Sequence, residues 1–164
     1  NCVMKTVTEN ICIESATEAD LENILEVQKS AFIKEAERHH NYEIPGLNQS
    51  LEELANEFNN SLVLTAKLDG TIVGSVRSSC KNGICTISKL VVRPEFHKRG
   101  IGRKLLCDIE AKSIKVFPDL NKFILFTAKN SFDNIGLYES AGYDKTDLEF
   151  VANNMPLISL EKRL

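Results

Sequence analysis

The sequence lacks any long apolar run, because none of its apolar stretches approaches the roughly 18 residues that a membrane span needs. Its first residues, NCVMKTVTEN, contain no apolar signal core, so we expect a lead-in over residues 1–10. A surplus of basic residues is also lacking, since the net charge is -3. We therefore expect neither a membrane nor a nucleic acid as partner.

The cysteine pattern lacks the regularity of a secreted disulfide framework. Five cysteines are scattered over the chain, and this odd number favours a cytoplasmic location. No Cys/His spacing resembles a zinc site, so we expect no metal. Cys80 and Cys85 flank the hairpin signal Asn82-Gly83 symmetrically, which predicts that they face each other across two strands. The sequence leaves open whether they are two small strand residues or a cross-strand disulfide.

The order of elements predicts the fold class. Apolar residues make up 43% of the chain, and no repeat, low-complexity tract or linker interrupts it, so we expect one domain over residues 11–164. The turns Asp69-Gly70 and Asn82-Gly83 join three antiparallel strands, which excludes an all-parallel sheet. We predict an α/β (α+β) fold with a mixed, mostly antiparallel central sheet of about seven strands, flanked by four helices.

Local signals place these helices. The first runs from about Glu18 into the mid-thirties and is followed by a loop over residues 38–48, with Pro45-Gly46 as helix breakers. Ser50 and Glu53 form the pattern of a capping box, which opens the second helix. The third helix begins near Gly100, and the fourth covers about residues 131–140.

A basic, glycine-containing turn between a strand and the third helix carries the chemistry. In HKRGIG, residues 97–102, glycines let the backbone approach a ligand, and the N–H groups of the following helix start suit phosphate oxygens. The spacing by itself also fits an ordinary strand-to-helix connection. A dinucleotide fingerprint needs a third glycine where Leu105 stands, and a Walker A loop is absent.

Two motifs together resemble the GCN5-related N-acetyltransferase (GNAT) superfamily. The aliphatic trio Leu90-Val91-Val92, followed by Gly100 and Gly102, resembles its acetyl-CoA signature. Two positions depart from it: His97 stands where the family usually has Gln or Arg, and Lys98 stands where it often has Gly. About 40 residues later, KNSFDNIGLYESAGY resembles the family's later helix. The similarity extends from about residue 11 to residue 160 and implies a sheet whose central strands splay apart.

The resemblance implies a cofactor site for acetyl-CoA. The trio would hydrogen-bond the pantetheine arm like an added strand, and backbone N–H groups of the turn would hold the pyrophosphate. Asn130 and Asn134 would contact the cofactor, although Asn130 alternatively fits a helix N-cap. The implied cofactor-binding residues are Leu90, Val91, Val92, His97, Lys98, Arg99, Gly100, Ile101, Gly102, Arg103, Asn130 and Asn134.

The resemblance also implies an activity: transfer of acetyl from acetyl-CoA to a primary amine of a small molecule or peptide by direct attack. Tyr138 would be the general acid for the departing thiolate, although it alternatively fits a core tyrosine on the apolar helix face with Ile135 and Leu137. The N–H of Val92 would polarise the carbonyl. Relatives carry a base at positions that are Ser88 and Thr86 here, and neither is basic. The base is left open among Glu35, His39, His40, Glu43 and water.

Two further points stay open. A non-catalytic acyl-CoA-binding or sensor module is the alternative to the enzyme, since it would keep the phosphate site without a base. A homodimer is an option, although no interface pattern points to it.

Overall fold

A computed structural model of the chain describes residues 10–164, so the expected lead-in lies outside the described residues except for Asn10. Within that range seven strands form one sheet in the order β1-β2-β3-β4-β5-β7-β6. The strands are β1 (Ile11–Ser15), β2 (Leu62–Leu68), β3 (Thr71–Lys81), β4 (Ile84–Val92), β5 (Lys122–Ala128), β6 (Asp144–Ala152) and β7 (Met155–Arg163). The α-helices are α1 (Leu21–His39), α2 (Pro45–Asn48), α3 (Leu51–Phe58), α4 (Ile101–Val116) and α5 (Phe132–Ser140).

The sheet is mixed and mostly antiparallel, which confirms the predicted fold class. The pair β4 and β5 is parallel and all other neighbours are antiparallel. β4 and β5 pair only from Ile84 opposite Lys122 to Thr86 opposite Ile124. Beyond Thr86 the two strands separate, so the central strands splay as expected. This splay is called the β4–β5 opening below.

The β3–β4 hairpin forms around Asn82-Gly83 as predicted. Both residues have positive φ, at 54° and 78°, as a type I′ turn requires. Cys80 lies opposite Cys85, and both are free thiols, so the disulfide alternative is wrong. Burial, and then the neighbouring Cys85, raises the pKa of Cys80 to about 12, which keeps its thiol neutral. Cys107 is disulfide-bonded.

The predicted loop over residues 38–48 is partly helical, which corrects the count of four helices to five among residues 10–164. α1 continues to His39, and Pro45 occupies the first turn of α2 instead of breaking a helix. Proline fits there because the first helical N–H groups need no partner within the helix. Gly46 is buried against Phe32, whose ring would lie 2.4 Å from an added Cβ.

Helices pack on both faces of the sheet. On one face, called the α1 face, Ile24 and Leu54 of α1 and α3 pack with Val63 and Val91. On the other, called the α4 face, Leu105 and its neighbours in α4 join a larger cluster that includes residues of α5. The end of α1 reaches β5 and β7 through a third cluster. None of the helices within residues 10–164 has the length and apolarity to cross a membrane.

Candidate cofactor and acceptor site

A β-bulge interrupts β4 beyond Thr86, the last residue of this strand that pairs with β5. Lys89 and Leu90 of β4 together oppose the single residue Val76 of β3. Lys89 has a φ of 53°, in the left-handed region. Bulges bend the strand that carries the extra residue and are common beside active sites. The bulge therefore lies inside the β4–β5 opening and fits a further bend of β4 away from β5.

The end of β4 points a backbone donor into the opening. The N–H of Arg93 donates to the carbonyl of Val73 in β3 at 2.8 Å. Successive N–H groups of a strand point to opposite sides, so the N–H of Val92 points away from β3 and into the opening. The imidazole Nε2 of His97 lies 2.9 Å from the carbonyl oxygen of Val92 and donates to it. His97 therefore ties the following turn to the strand end.

The turn before α4 has the backbone shape of an anion site. Lys98 and Gly100 both adopt left-handed conformations, with φ of 63° and 80°, and Gly100 is the N-cap of α4. Left-handed residues in such a turn direct neighbouring N–H groups to one side, where a helix start adds further donors. The guanidinium of Arg99 lies over the ring of Phe96, 5.0 Å from its centroid. Lys98 and Arg99 are exposed, so their charges face solvent beside this turn.

Arg103, in the first turn of α4, is engaged with α5. Its guanidinium donates to the Oγ of Ser140 at 2.6 Å and to the backbone oxygen of Ser140 at 3.1 Å. A cation at the C-terminal end of a helix is favourable because the carbonyl groups there carry partial negative charge. Gly102 lies beside Val92 and Leu137, at 3.8 and 3.7 Å from an added Cβ. The start of α4 is thus held between the end of β4 and α5.

Tyr138 lies inside the α4-face cluster that also contains Leu90, Val92 and Leu125 from the two walls of the opening. The residue is 8% exposed. Burial, followed by the negative charge of Glu35, raises the pKa of Tyr138 to about 12. The phenol therefore keeps its proton at neutral pH, which a general acid requires.

The two predicted asparagines are both exposed, and they lie at the start of α5. Asn134 donates from Nδ2 to the Oγ1 of Thr127 at 3.5 Å, next to the end of β5. The N-cap of α5 is Ser131, so the interpretation of Asn130 as N-cap is wrong. The hydroxyl of Ser131 donates instead to Glu35 at 2.8 Å.

Two of the four candidate bases come together at the end of α1. The Nε2 of His39 lies 2.9 Å from the Oε1 of Glu35, and both side chains are largely buried. Arg38 adds an ion pair to the same carboxylate at 3.5 Å. This carboxylate is the one whose charge acts on Tyr138. The structure therefore brings Glu35 and His39 near Tyr138, the predicted general acid.

The other two candidate bases lie apart from that pair. His40 is exposed and ends α1 in a left-handed conformation. Glu43 is also exposed, and its Oε2 accepts from the side-chain amide of Asn154 at 3.4 Å. Asn41 donates to the backbone oxygen of Asn153 at 2.6 Å. The loop after α1 thereby contacts the β6–β7 turn, and Glu43 contributes to that contact.

Sequence reasoning missed a polar cluster beneath α1 and α3. Arg77 of β3 is 1% exposed, and its Nη2 donates to the Oε1 of Gln28 at 2.7 Å. Arg77 lies within a run of β3 that is buried without interruption from Ile72 to Ser78, as in a strand covered on both faces. Its place in a hairpin strand between two turn signals was the available hint that a charged side chain could point inward. Lys89, at the bulge, is its electrostatic neighbour.

Comparisons with known proteins agree with this geometry. A family model described as an acetyltransferase (GNAT) domain matches residues 27–164. The UPF0157 protein YqkA of Bacillus subtilis (strain 168) is 29% identical over 134 residues, which are 82% of this chain and 37% of YqkA. The chain therefore spans little more than a third of the length of this curated relative.

Two solved structures share the fold. The PaiA N-acetyltransferase of Thermoplasma acidophilum, in complex with coenzyme A, has a TM-score of 0.76 at 21% identity, with 94% of this chain and 99% of that chain covered. A ribosomal-protein-alanine N-acetyltransferase of Brucella melitensis has a TM-score of 0.76 at 22% identity, with 93% and 99% covered.

Proposed function

The chain belongs to the GNAT acetyltransferase family, and on that premise we propose that it is an acetyl-CoA-dependent N-acetyltransferase. Its acceptor is a primary amine of a small molecule or peptide. The observation that carries the proposal is the β4–β5 opening, which ends at the glycine-containing turn before α4 and whose two strands share a core cluster with Tyr138. The relative from Thermoplasma acidophilum, which holds coenzyme A, supports the choice of cofactor.

The cofactor lies along β4 in this proposal. The backbone N–H groups of residues 97–102 hold the pyrophosphate, and Arg103, Asn130 and Asn134 complete that end of the site. The pantetheine arm enters the opening and pairs with Leu90-Val91-Val92. Support comes from the early end of β4–β5 pairing at Thr86, which leaves this edge of the strand without a partner from β5.

The chemistry is a direct attack of a neutral amine on the thioester carbonyl carbon. The N–H of Val92 donates to the oxygen that becomes negative in the tetrahedral intermediate. Collapse of the intermediate breaks the C–S bond, and Tyr138 gives its proton to the sulfur. The proton that the newly acylated nitrogen then sheds restores the phenol of Tyr138. The raised pKa of about 12 supports this role, because the phenol is protonated whenever the thiolate leaves at neutral pH.

The attacking amine must first lose a proton, and we assign this step to the pair Glu35 and His39. The Nε2–H of His39 is held by Glu35, so in that tautomer Nδ1 is the basic nitrogen. Glu35 then stabilises the imidazolium that forms, as the carboxylate of a catalytic triad does. A water molecule relays the proton where the amine does not touch His39 itself.

The setting of the reaction belongs to the same proposal. We place the protein in the cytoplasm, as the scattered cysteines of the sequence and the free thiols of Cys12, Cys80 and Cys85 favour, while the disulfide of Cys107 is the feature that opposes this placement. A homodimer stays an expectation, which sedimentation velocity over a concentration series tests.

The test measures thiol release from acetyl-CoA with a panel of primary amines, together with mass spectrometry of the amines. The proposal predicts amine-dependent thiol release and an acetyl adduct on the accepted amine. Binding of acetyl-CoA without turnover of any amine would instead identify the acyl-CoA-binding module and overturn the enzyme assignment.

A further inference from the structure

The polar cluster around Arg77 has an unusual feature for a protein interior. Burial of a charged group is costly unless partners satisfy its hydrogen bonds. The Nη2 of Arg77 has such a partner in Gln28, but Nε and Nη1 are buried without any hydrogen-bond partner among residues 10–164. The nearest carboxylate oxygen, Oε1 of Glu57, lies 3.6 Å from Nη1. The cluster therefore holds a cation that its own surroundings only partly compensate.

Glu57 is shared within the cluster. Its Oε2 accepts a hydrogen bond from the Nε2 of Gln49 at 2.7 Å, while its Oε1 faces Arg77. The Oε1 of Gln49 in turn accepts from Gln28 at 2.9 Å. This arrangement fixes the one carboxylate of the cluster in place on the inner side of α3. The negative charge of Glu57 is thus already paired with Arg77.

Lys89 brings a second cation to the same place. Its half-buried side chain interacts electrostatically with both Glu57 and Arg77. Burial lowers its pKa, the neighbouring Glu57 opposes that shift, and the charge of Arg77 adds to it. Within the described part of the chain, Lys89 forms no ion pair with Glu57. Two cations thus share one carboxylate, and the cluster carries a surplus of one positive charge.

The surplus charge lies on the side from which the amine must approach. The proposed phosphate site is at the start of α4, and Tyr138 lies in the α4-face cluster, so the cofactor and its acid occupy that face. The acceptor then reaches the thioester from the α1 face. Arg77 and Lys89 face α1 and α3, since their partners there are Gln28 and Glu57.

The spacing also fits a small acceptor. Lys89 precedes Val92, the proposed donor to the thioester oxygen, by three residues, which is about 10 Å along a strand. Because of the bulge, Lys89 does not follow the regular alternation of side chains between the two faces of β4. A molecule whose amine reaches the thioester can therefore place a second group within range of the Lys89 ammonium.

We infer that the acceptor is a small amine that also carries a carboxylate, and that Lys89 binds this carboxylate while the charge of Arg77 behind it strengthens the attraction. The inference rests on the proposed function, because it specifies the acceptor of the same reaction. It makes Lys89 a specificity-determining residue. The acceptor's carboxylate supplies a second anion, which Arg77 and Lys89 lack in the free protein because they share only Glu57.

The experiment compares amines in matched sets: an amino acid, its carboxamide, and the amine that lacks the carboxyl group. kcat/KM is measured for each with the wild type, Lys89→Met and Lys115→Met. Methionine keeps the length of lysine and removes its charge, and Lys115 is an exposed lysine near the end of α4. We expect the wild type and Lys115→Met to prefer the carboxylate by about 10- to 100-fold, the range of a charge-assisted hydrogen bond. Lys89→Met should lose that preference.

Glu57→Gln gives an effect of the opposite sign. Removal of this negative charge raises the positive potential at Lys89 and also lowers the pKa of its ammonium further. At the acidic end of the working pH range, where Lys89 stays charged, KM for the carboxylate-bearing amine should therefore fall or stay equal, while it rises in Lys89→Met. A purely structural role of the cluster would raise KM in both variants. Circular dichroism of each variant checks that it is folded.

The outcomes distinguish failure of the inferred acceptor class from failure of the proposed acetyltransferase activity. Turnover with no preference for the carboxylate, or a preference that survives in Lys89→Met, overturns the inference and leaves the acetyltransferase proposal standing. If the folded wild type acetylates no amine at all, the proposed function fails and the inference fails with it.

Discussion

At the scale of single residues, the account depends on how the surroundings of Tyr138 set its protonation. Its side chain is buried in a core cluster that also contains residues of β4, β5 and α4, and a carboxylate from α1 lies near enough to act on the phenol. Both influences disfavour the phenolate. The same burial that makes this tyrosine look like a core residue therefore also keeps its phenol protonated, as the proposed role of general acid requires.

Replacement of this donor should slow the chemical step. Tyr138→Phe removes the hydroxyl and keeps the ring, so we expect kcat to fall by about 100- to 10,000-fold while KM for acetyl-CoA changes little. Steady-state thiol release measures both constants. Tyr42→Phe is the matched control, because Tyr42 is 56% exposed. Equal activity of Tyr138→Phe and wild type would disprove the assignment.

The pH dependence tests the same residue without a mutation. Because the pKa of Tyr138 is raised to about 12, its protonated, active form persists above the ordinary tyrosine pKa of about 10. On the acidic side, activity rises as the amine substrate loses its proton. We expect kcat to hold its plateau to at least about pH 10.5. A fall centred near pH 10 in kcat–pH profiles would show an unperturbed phenol.

At the scale of elements, the turn before α4 matters through its backbone. Gly100 has a φ of 80°, and the L-residues other than glycine adopt this conformation only with strain. The left-handed Lys98 shows that the turn already accepts one such residue. The turn is therefore held in its shape by its surroundings, among them the bond from His97 to Val92.

Gly100→Ala should weaken cofactor binding. The added Cβ costs about 1 to 2 kcal/mol in a left-handed conformation, and a turn that relaxes to avoid this cost misdirects its N–H groups. We expect Kd for coenzyme A to rise by about 10-fold in calorimetry. Gly70→Ala is the control: Gly70 has a φ of +85°, has open space around it and lies in the β2–β3 turn. The Gly70→Ala variant should lose stability and keep its affinity for coenzyme A. A loss of affinity equal to that of Gly100→Ala would contradict the role of the turn before α4.

Several elements follow from local sequence alone, and others do not. The type I′ turn at Asn82-Gly83 and the capping box of Ser50 and Glu53 were predictable because their geometry is set within four residues. α2 was not, because its Gly46 is held by contact with Phe32, far away along the chain. The bulge at Lys89 has no local signal, since it arises from the pairing of β4 with β3.

At the scale of the whole molecule, the site depends on the relative position of α4 and the C-terminal hairpin. A buried network links them: the hydroxyl of Tyr143 donates to Glu110 of α4 at 2.7 Å, and Lys162 of β7 pairs with the same carboxylate at 2.8 Å. Burial, and then Glu110, raises the pKa of Tyr143. The network thereby ties the helix that carries the proposed phosphate site to the far part of the sheet.

Removal of Lys162 alone should lower the free energy of unfolding more than removal of the charges of both Lys162 and Glu110. Lys162→Met leaves the buried Glu110 without its cation, and we expect the free energy of unfolding to fall by about 1 to 3 kcal/mol. Addition of Glu110→Gln should recover part of this loss, because no uncompensated charge is then buried. Urea denaturation measures each variant. A double variant that is less stable than Lys162→Met would contradict the network.

The parts of the site that the sequence could predict are those made of contiguous residues. The trio Leu90-Val91-Val92 and the turn at Gly100 are contiguous, so they were visible as a motif. The association of Glu35 with His39 and Ser131 was not, since α1 and α5 are brought together only by the folded sheet. The charge surplus around Arg77 likewise needs three separate elements to be in place.

The central claim is that acetyl-CoA binds in the β4–β5 opening, and a calorimetric titration of the wild-type chain with acetyl-CoA tests it most directly. The account predicts saturable binding with one site per chain and a Kd below about 1 mM, the upper end of common KM values. No heat of binding up to that concentration, with folded protein, would contradict it.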